Sequence, residues 1–214
     1  MTKINTLLIF VFLFACFGQS ANRGSHAETL TMLILGDSLT SGYGLDPQHA
    51  FPAQLEKKLQ SLGRNVSVRN GGVAGDTSAG GRARLEWALS DKPDAVMVEL
   101  GANDGLRGLE PSQLRENLAA IITVLKKRGI GVLLAGMLAP PNFGERYSRE
   151  FNQVYPDLAK SHGVEFYPFF LDGVAAQQAL NQKDGIHPNS SGVAIIVDRM
   201  LPYVLRFLDK LEKK

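Results

Sequence analysis

Cysteine is almost missing from this chain. Its one example, Cys16, lies in an apolar stretch near the start, so the remainder can form no disulfide and no cysteine-based metal site. An excess of either charge is missing too. Residues 1–27 hold two of the 23 basic residues, Lys3 and Arg23, and none of the 21 acidic ones, which leaves 21 of each sign beyond them. A balanced chain with no basic stripe argues against nucleic acid as a partner. No apolar run reaches the ~20 residues of a membrane span. The run from Leu7 to Phe17 falls well short of that. The fingerprint G-x-G-x-x-G is absent, and the glycine-rich run from Gly71 to Gly81 lacks the Lys-Ser/Thr of a P-loop, so two nucleotide-binding signatures are excluded. No set of side chains has metal-ligand spacing, and neither a metal nor another cofactor is expected. Internal repeats and low-complexity segments are also lacking.

The first residues read as a targeting segment. Lys3, the apolar stretch Leu7–Phe17 and a small, polar exit up to Ala27 have the order of a secretory signal peptide. Residues 1–27 are therefore predicted to be removed, and residues 28–214 to form one exported domain, periplasmic or secreted. Ser25-His26-Ala27 fits the cleavage site, with cleavage after Ala21 as an alternative. Leu13-Phe14-Ala15-Cys16 loosely resembles a lipoprotein processing box, which makes a lipid anchor on Cys16 the other route. About 187 residues suffice to bury a core without disulfides.

What the remainder does have is alternation. Apolar runs at Leu30–Leu35, Val66–Arg69, Ala95–Leu100, Gly131–Gly136 and Val164–Tyr167 read as strands. Between them lie helical patterns: one from Phe51 to Leu59, one from about Ser78 to Ala88, a long one opened by Pro111-Ser112, one through Phe151, Val154 and Leu158, and a last one after Asn189. Nearly all-apolar strands separated by helices predict an α/β fold, a single three-layer α/β/α domain with a parallel sheet covered on both faces. In that architecture ligands bind outside the carboxyl ends of the strands, so each strand end becomes a place to look for chemistry.

The first strand stops at Gly36-Asp37-Ser38-Leu39, which puts a serine on a rigid support or, equally, at the cap of the next helix. The second runs into a glycine-rich turn containing Gly75, the third ends at Asn103, and the fourth near Met137–Pro141. Near the C-terminus, Asp184 precedes His187 by three residues, a spacing that can bring both to one side of a helical turn. Together these are the parts of an acyl-transfer site. A serine hydroxyl is a weak nucleophile until an imidazole accepts its proton, and an acid is needed to hold that imidazole's tautomer. The backbone N–H groups of Ser38 and Gly75 and the Asn103 amide are candidate donors to the oxyanion. Each part also has a simpler reading: Asp184-Gly185 as a plain turn, Asn103-Asp104 as a helix cap, and His49 and His162 as surface residues. Glu99, a carboxylate inside an apolar strand, reads as paired within the core or at its rim.

Four segments, Gly36-Asp37-Ser38-Leu39, Gly75-Asp76-Thr77, Gly101-Ala102-Asn103-Asp104 and Asp184-Gly185-Ile186-His187-Pro188, resemble in order the four signature blocks of the SGNH (GDSL) hydrolases. Val98 to Gly108 is similar to the bacterial periplasmic acyl-CoA thioesterase I/lysophospholipase/arylesterase branch of that family. The resemblance implies a flavodoxin-like five-stranded sheet of order 2-1-3-4-5. It also implies Ser38 as nucleophile, His187 as base, Asp184 as its partner, and an oxyanion hole of Ser38, Gly75 and Asn103. Thr40 stands where the G-x-S-x-G elbow of other serine hydrolases would need its second glycine. Substrates implied are small acyl esters and thioesters: aryl and alkyl esters, acyl-CoA and lysophospholipids. A carbohydrate O-acetylesterase on the same fold is the alternative. Acyl-binding surface is expected from Leu106–Leu109 and Leu138–Tyr147, with Leu106, Phe143 and Tyr147 as candidate contacts.

Overall fold

The computed structural model describes residues 29–213. The expected signal peptide, its candidate cleavage sites and Cys16 lie outside them. In chain order the elements are β1 (Leu30–Gly36), α1 (Ser38–Ser41), α2 (Phe51–Ser61), β2 (Val66–Gly72), α3 (Ser78–Ala83), α4 (Leu85–Ala88) and β3 (Ala95–Glu99). There follow α5 (Ala102–Leu106), α6 (Pro111–Lys127), β4 (Gly131–Ala135), α7 (Gly144–His162), β5 (Glu165–Tyr167) and α8 (Ser190–Leu211).

All five strands are parallel, in the order β2-β1-β3-β4-β5. Burial follows position in the sheet. β3 is buried at every residue and β4 at all but its first, whereas the edge strand β2 loses burial after Val68. Central strands are covered on both faces and need apolar side chains throughout; an edge strand does not. One helical layer contains α2 and α8, which touch each other. The other is built from α3, α6 and α7, with α6 in contact with both neighbours. Leu114, Leu118, Ile121, Ile122 and Leu125 form the buried stripe of α6, at the spacing read from the sequence. Pro111 occupies its first turn, where a missing N–H costs nothing. Asn189 caps α8 by accepting the Gly192 N–H at 3.0 Å. Among the described residues no helix is long and apolar enough to cross a membrane.

Three expectations about elements are corrected. The second strand continues from Arg69 to Gly72, in register with Ile34, Leu35 and Gly36 of β1. Its last residues look like a turn because they are Asn and Gly, but a β-carbon on Gly72 would lie 2.3 Å from the Ser41 nitrogen, so the chain must be bare there for α1 to pack. The single helix expected from Ser78 to Ala88 is broken at Arg84. That guanidinium folds inward, donating to Asp76 Oδ2 at 2.6 Å and to the Gly36 carbonyl at 2.8 Å, and so ties the end of β1 to the loop after β2. Finally, α7 begins at Gly144, which moves Tyr147 from the loop onto the helix.

Candidate active site

The order 2-1-3-4-5 brings the ends of β2, β1 and β3 side by side, and with them Gly75, Ser38 and Asn103. Asp37 is the N-cap of α1, its Oδ1 accepting the Leu39 N–H at 2.9 Å, and Ser38 is the first helical residue. The cap reading of this stretch thus falls to Asp37 and frees the Ser38 hydroxyl. At the first position of a helix the Ser38 N–H has no intrahelical acceptor. The Gly75 N–H likewise has no acceptor among the described residues, in a backbone with φ of +84°.

The segment from Asn181 to Asn189 carries Asp184 and His187, the expected acid and base. It is a turn closed by an antiparallel bridge between Asn181 and Pro188 and by a 2.7 Å hydrogen bond from the Gln182 N–H to the His187 carbonyl. The helical turn expected for Asp184–His187 is therefore replaced by an Asx-type turn. Asp184 Oδ1 accepts the N–H groups of Ile186 at 2.9 Å and of His187 at 3.0 Å, while Oδ2 lies 2.7 Å from His187 Nδ1. The hydrogen bonds from the backbone and ring of His187 hold the Asp184 carboxyl down at about 2, so it is ionised throughout the working range. With Nδ1–H donated to that carboxylate, Nε2 is an acceptor, and it lies 2.9 Å from Ser38 Oγ.

A clasp aims this turn. Gln182 Nε2 donates to the Tyr43 carbonyl at 2.7 Å and the Pro188 carbonyl at 3.1 Å, bridging the turn to the residues after α1. Gly44 admits that side chain: a β-carbon there would sit 2.3 Å from Gln182 Oε1. The Tyr43 ring covers the His187 ring at 4.7 Å between centroids.

Asn103 reaches the same place from β3, but its two amide hydrogens are already engaged, at 2.9 Å with the Asp76 carbonyl and at 3.2 Å with Asp37 Oδ2. Asp104 does not cap the helix that contains it. It is buried and accepts both the N–H and the hydroxyl of Ser78, at 2.7 and 2.5 Å, which joins the ends of β2 and β3. Glu99 is fully buried, and its Oε2 accepts the Thr40 hydroxyl at 2.7 Å. The sequence pattern does not point to Gln182 or Arg84; Asp37 lies within one of the four blocks, Thr40 stands out only as the departure from the G-x-S-x-G elbow, and Glu99 only as a carboxylate in an apolar strand.

Leu106 and Phe143 are exposed, in the segments that follow β3 and β4, whereas Tyr147 turns its hydroxyl inward to the Leu109 carbonyl at 2.8 Å and packs between the Phe143 and Phe151 rings. Tyr43, Val73, Leu106, Leu138, Phe143 and Ile186 are exposed large apolar residues in the segments that follow the strand ends or beside His187. Only Leu62 and Trp87 of that kind lie elsewhere among the described residues. A cleft of about 990 Å³ opens at the amino ends of the strands near Leu30, Asp94 and Ile130, away from all these groups.

Residues 34–195 match the model of the GDSL-like Lipase/Acylhydrolase family. The chain is 42% identical over 177 residues to Esterase TesA of Pseudomonas aeruginosa, covering 82% of this chain and 88% of that protein. It is 43% identical over 179 residues to Thioesterase 1/protease 1/lysophospholipase L1 of Escherichia coli K12, covering 83% and 84%. The crystal structure of TesA superposes with a TM-score of 0.79 at 40% identity, over 83% of this chain and 99% of that one. With its strand order, its four sequence blocks and these relatives in agreement, the chain belongs to the GDSL-like lipase/acylhydrolase, or SGNH hydrolase, family.

Proposed function

We propose that this protein hydrolyses carboxylic esters and thioesters through an acyl-enzyme on Ser38. The observation that carries the reading is the unbroken line Ser38 Oγ–His187 Nε2–Asp184, with separations of 2.9 and 2.7 Å. In the first half-reaction the Ser38 oxygen attacks the carbonyl carbon while its proton passes to His187 Nε2. Asp184 holds the tautomer and stabilises the imidazolium. Negative charge develops on the carbonyl oxygen, where the N–H groups of Ser38 and Gly75 are unoccupied donors and the Asn103 amide is the third. Each such donor is worth roughly 3–4 kcal/mol in the transition state. His187 then returns the proton to the departing alcohol or thiol. A water molecule repeats the sequence on the acyl-enzyme and releases the acid.

The exposed apolar residues that follow the strand ends on the Ser38 side of the sheet favour substrates with an aryl or alkyl acyl part over acetylated sugars, which would leave that surface in water. Leu106 and Phe143 are the side chains best placed to meet the acyl chain; Tyr147 supports Phe143 from behind. The relatives named esterase and thioesterase/lysophospholipase support the same range of substrates. We also assign residues 1–27 as the export signal, which puts the enzyme outside the cytoplasm. The test is a ladder of p-nitrophenyl esters of increasing acyl length, run beside an acyl-CoA and a lysophospholipid. Turnover that persists beyond acetyl and vanishes in folded Ser38→Ala supports the assignment. Hydrolysis of acetyl esters alone, or undiminished turnover by Ser38→Ala, would refute it.

A further inference from the structure

Beneath the site lie two carboxyl groups that the acyl-transfer steps do not use. Asp37 and Glu99 are both fully buried, and the parallel register sets Glu99 directly beside Gly36, one residue before Asp37. Among the described residues neither forms an ion pair with a cationic side chain. Two adjacent buried carboxylates cannot both be charged without a large cost, so the pair holds one charge. Its location follows from the donors. Asp37 receives a hydrogen bond on each oxygen, from the Leu39 N–H at 2.9 Å and from Asn103 Nδ2 at 3.2 Å. Glu99 receives the Thr40 hydroxyl at 2.7 Å and the distant Asp37 N–H at 3.5 Å on one oxygen only, and its Oε1 has no partner. The charge belongs on Asp37 and the proton on Glu99.

We propose that Asp37 is the positioning residue for the oxyanion donor: its ionised carboxyl, kept so by a neutral Glu99, fixes the Asn103 amide against the Asp76 carbonyl. The proposal rests on the acyl-transfer reading of Ser38. An amide pinned at two points presents its hydrogens in one plane, and the longer contact, to Asp37, is the one an oxyanion can share. Protonating Asp37 places a hydroxyl where Asn103 needs an acceptor and unpins one corner of the amide. Burial raises Asp37 to about 6, so the change falls in an observable range. Four charged or titratable groups bear on it: Glu99 from β3, Asp76 from the loop after β2 (paired with Arg84), His187 across the site, and the buried Tyr155 phenol of α7.

The experiment follows the side-chain amide signals of Asn103 by NMR from about pH 5 to about pH 8 in a His187→Gln protein, which removes the imidazole titration from that window. With the lowering influence of His187 removed, the signals should shift with a midpoint at or above about 6 and lose the shift in an Asp37→Asn background. Kinetics of the single variants complete the test. Asp37→Asn should lower kcat roughly 10- to 100-fold with KM within about threefold, the pattern of a group acting only in the transition state. Glu99→Gln, the isostere of the neutral acid, should keep kcat within about threefold. A flat Asn103 titration, an unimpaired Asp37→Asn, or a Glu99→Gln as damaged as Asp37→Asn would overturn the proposal. The NMR readout involves no substrate, so its failure is distinct from failure of the hydrolase reading, which an inactive wild-type protein would show.

Discussion

Asp184 uses its two oxygens for different tasks, and a single substitution separates them. Oδ1 fixes the turn through the Ile186 and His187 N–H groups, while Oδ2 faces the ring. In Asp184→Asn the amide oxygen can still hold the turn, but an NH2 group now opposes Nδ1 and drives the proton to Nε2, the wrong nitrogen. The expected loss in kcat is on the order of 10⁴ with the fold retained. Steady-state kinetics on folded protein checks it, and a loss under about tenfold would mean that a different group orients His187. At this scale Ser38, Asp184, His187, Gly75 and Asn103 were legible because each ends a strand or lies in a short block whose chemistry needs that residue type. Asp37 and Glu99 were not. Their relation depends on the β1–β3 register, and nothing in a one-dimensional sequence says that Gly36 lies beside Glu99.

Among the elements, the turn from Asn181 to Asn189 is the one whose placement matters most. It belongs to no helix or strand of the sheet, and the Gln182 clasp joins it to the residues after α1. Removing the clasp should leave the triad present but loosely aimed. Gln182→Ala is expected to cost about 1–2 kcal/mol of stability, from two lost hydrogen bonds. It should also lower kcat roughly tenfold with little change in KM. Urea denaturation and kinetics on one preparation measure both; unchanged kcat would show that the bridge to Pro188 is enough. The sheet and its long helices were readable because apolar periodicity is strong there, as in α6. The tail of β2 and the break at Arg84 were not. In each case a tertiary demand, the packing of α1 on Gly72 or the inward reach of one guanidinium, overrides the local pattern.

The whole molecule registers its buried acids as a pH dependence of stability. Burial raises Asp37 to about 6 and Glu99 well above its ordinary value, so both ionise more readily in the unfolded chain. Their favourable contribution is complete below the unfolded values near 4 and is lost as pH rises through the folded ones. Asp184, held down at about 2, acts oppositely: its contribution is present above about 4 and is lost as pH falls toward 2. Melting temperatures between about pH 4.5 and about pH 7 should therefore fall more in the wild type than in Glu99→Gln. Parallel curves for the two proteins would contradict that account of Glu99.

The central claim, that this fold exists to make Ser38 a nucleophile, has a direct test. The protein is treated with an excess of a serine-directed aryl phosphonate, the residual esterase activity is followed, and the labelled residue is located by peptide mass spectrometry. The expected result is one phosphonyl group per chain, on Ser38, accumulating in proportion to the activity lost. Loss of activity with Ser38 unmodified, or full labelling of Ser38 with activity intact, would contradict it.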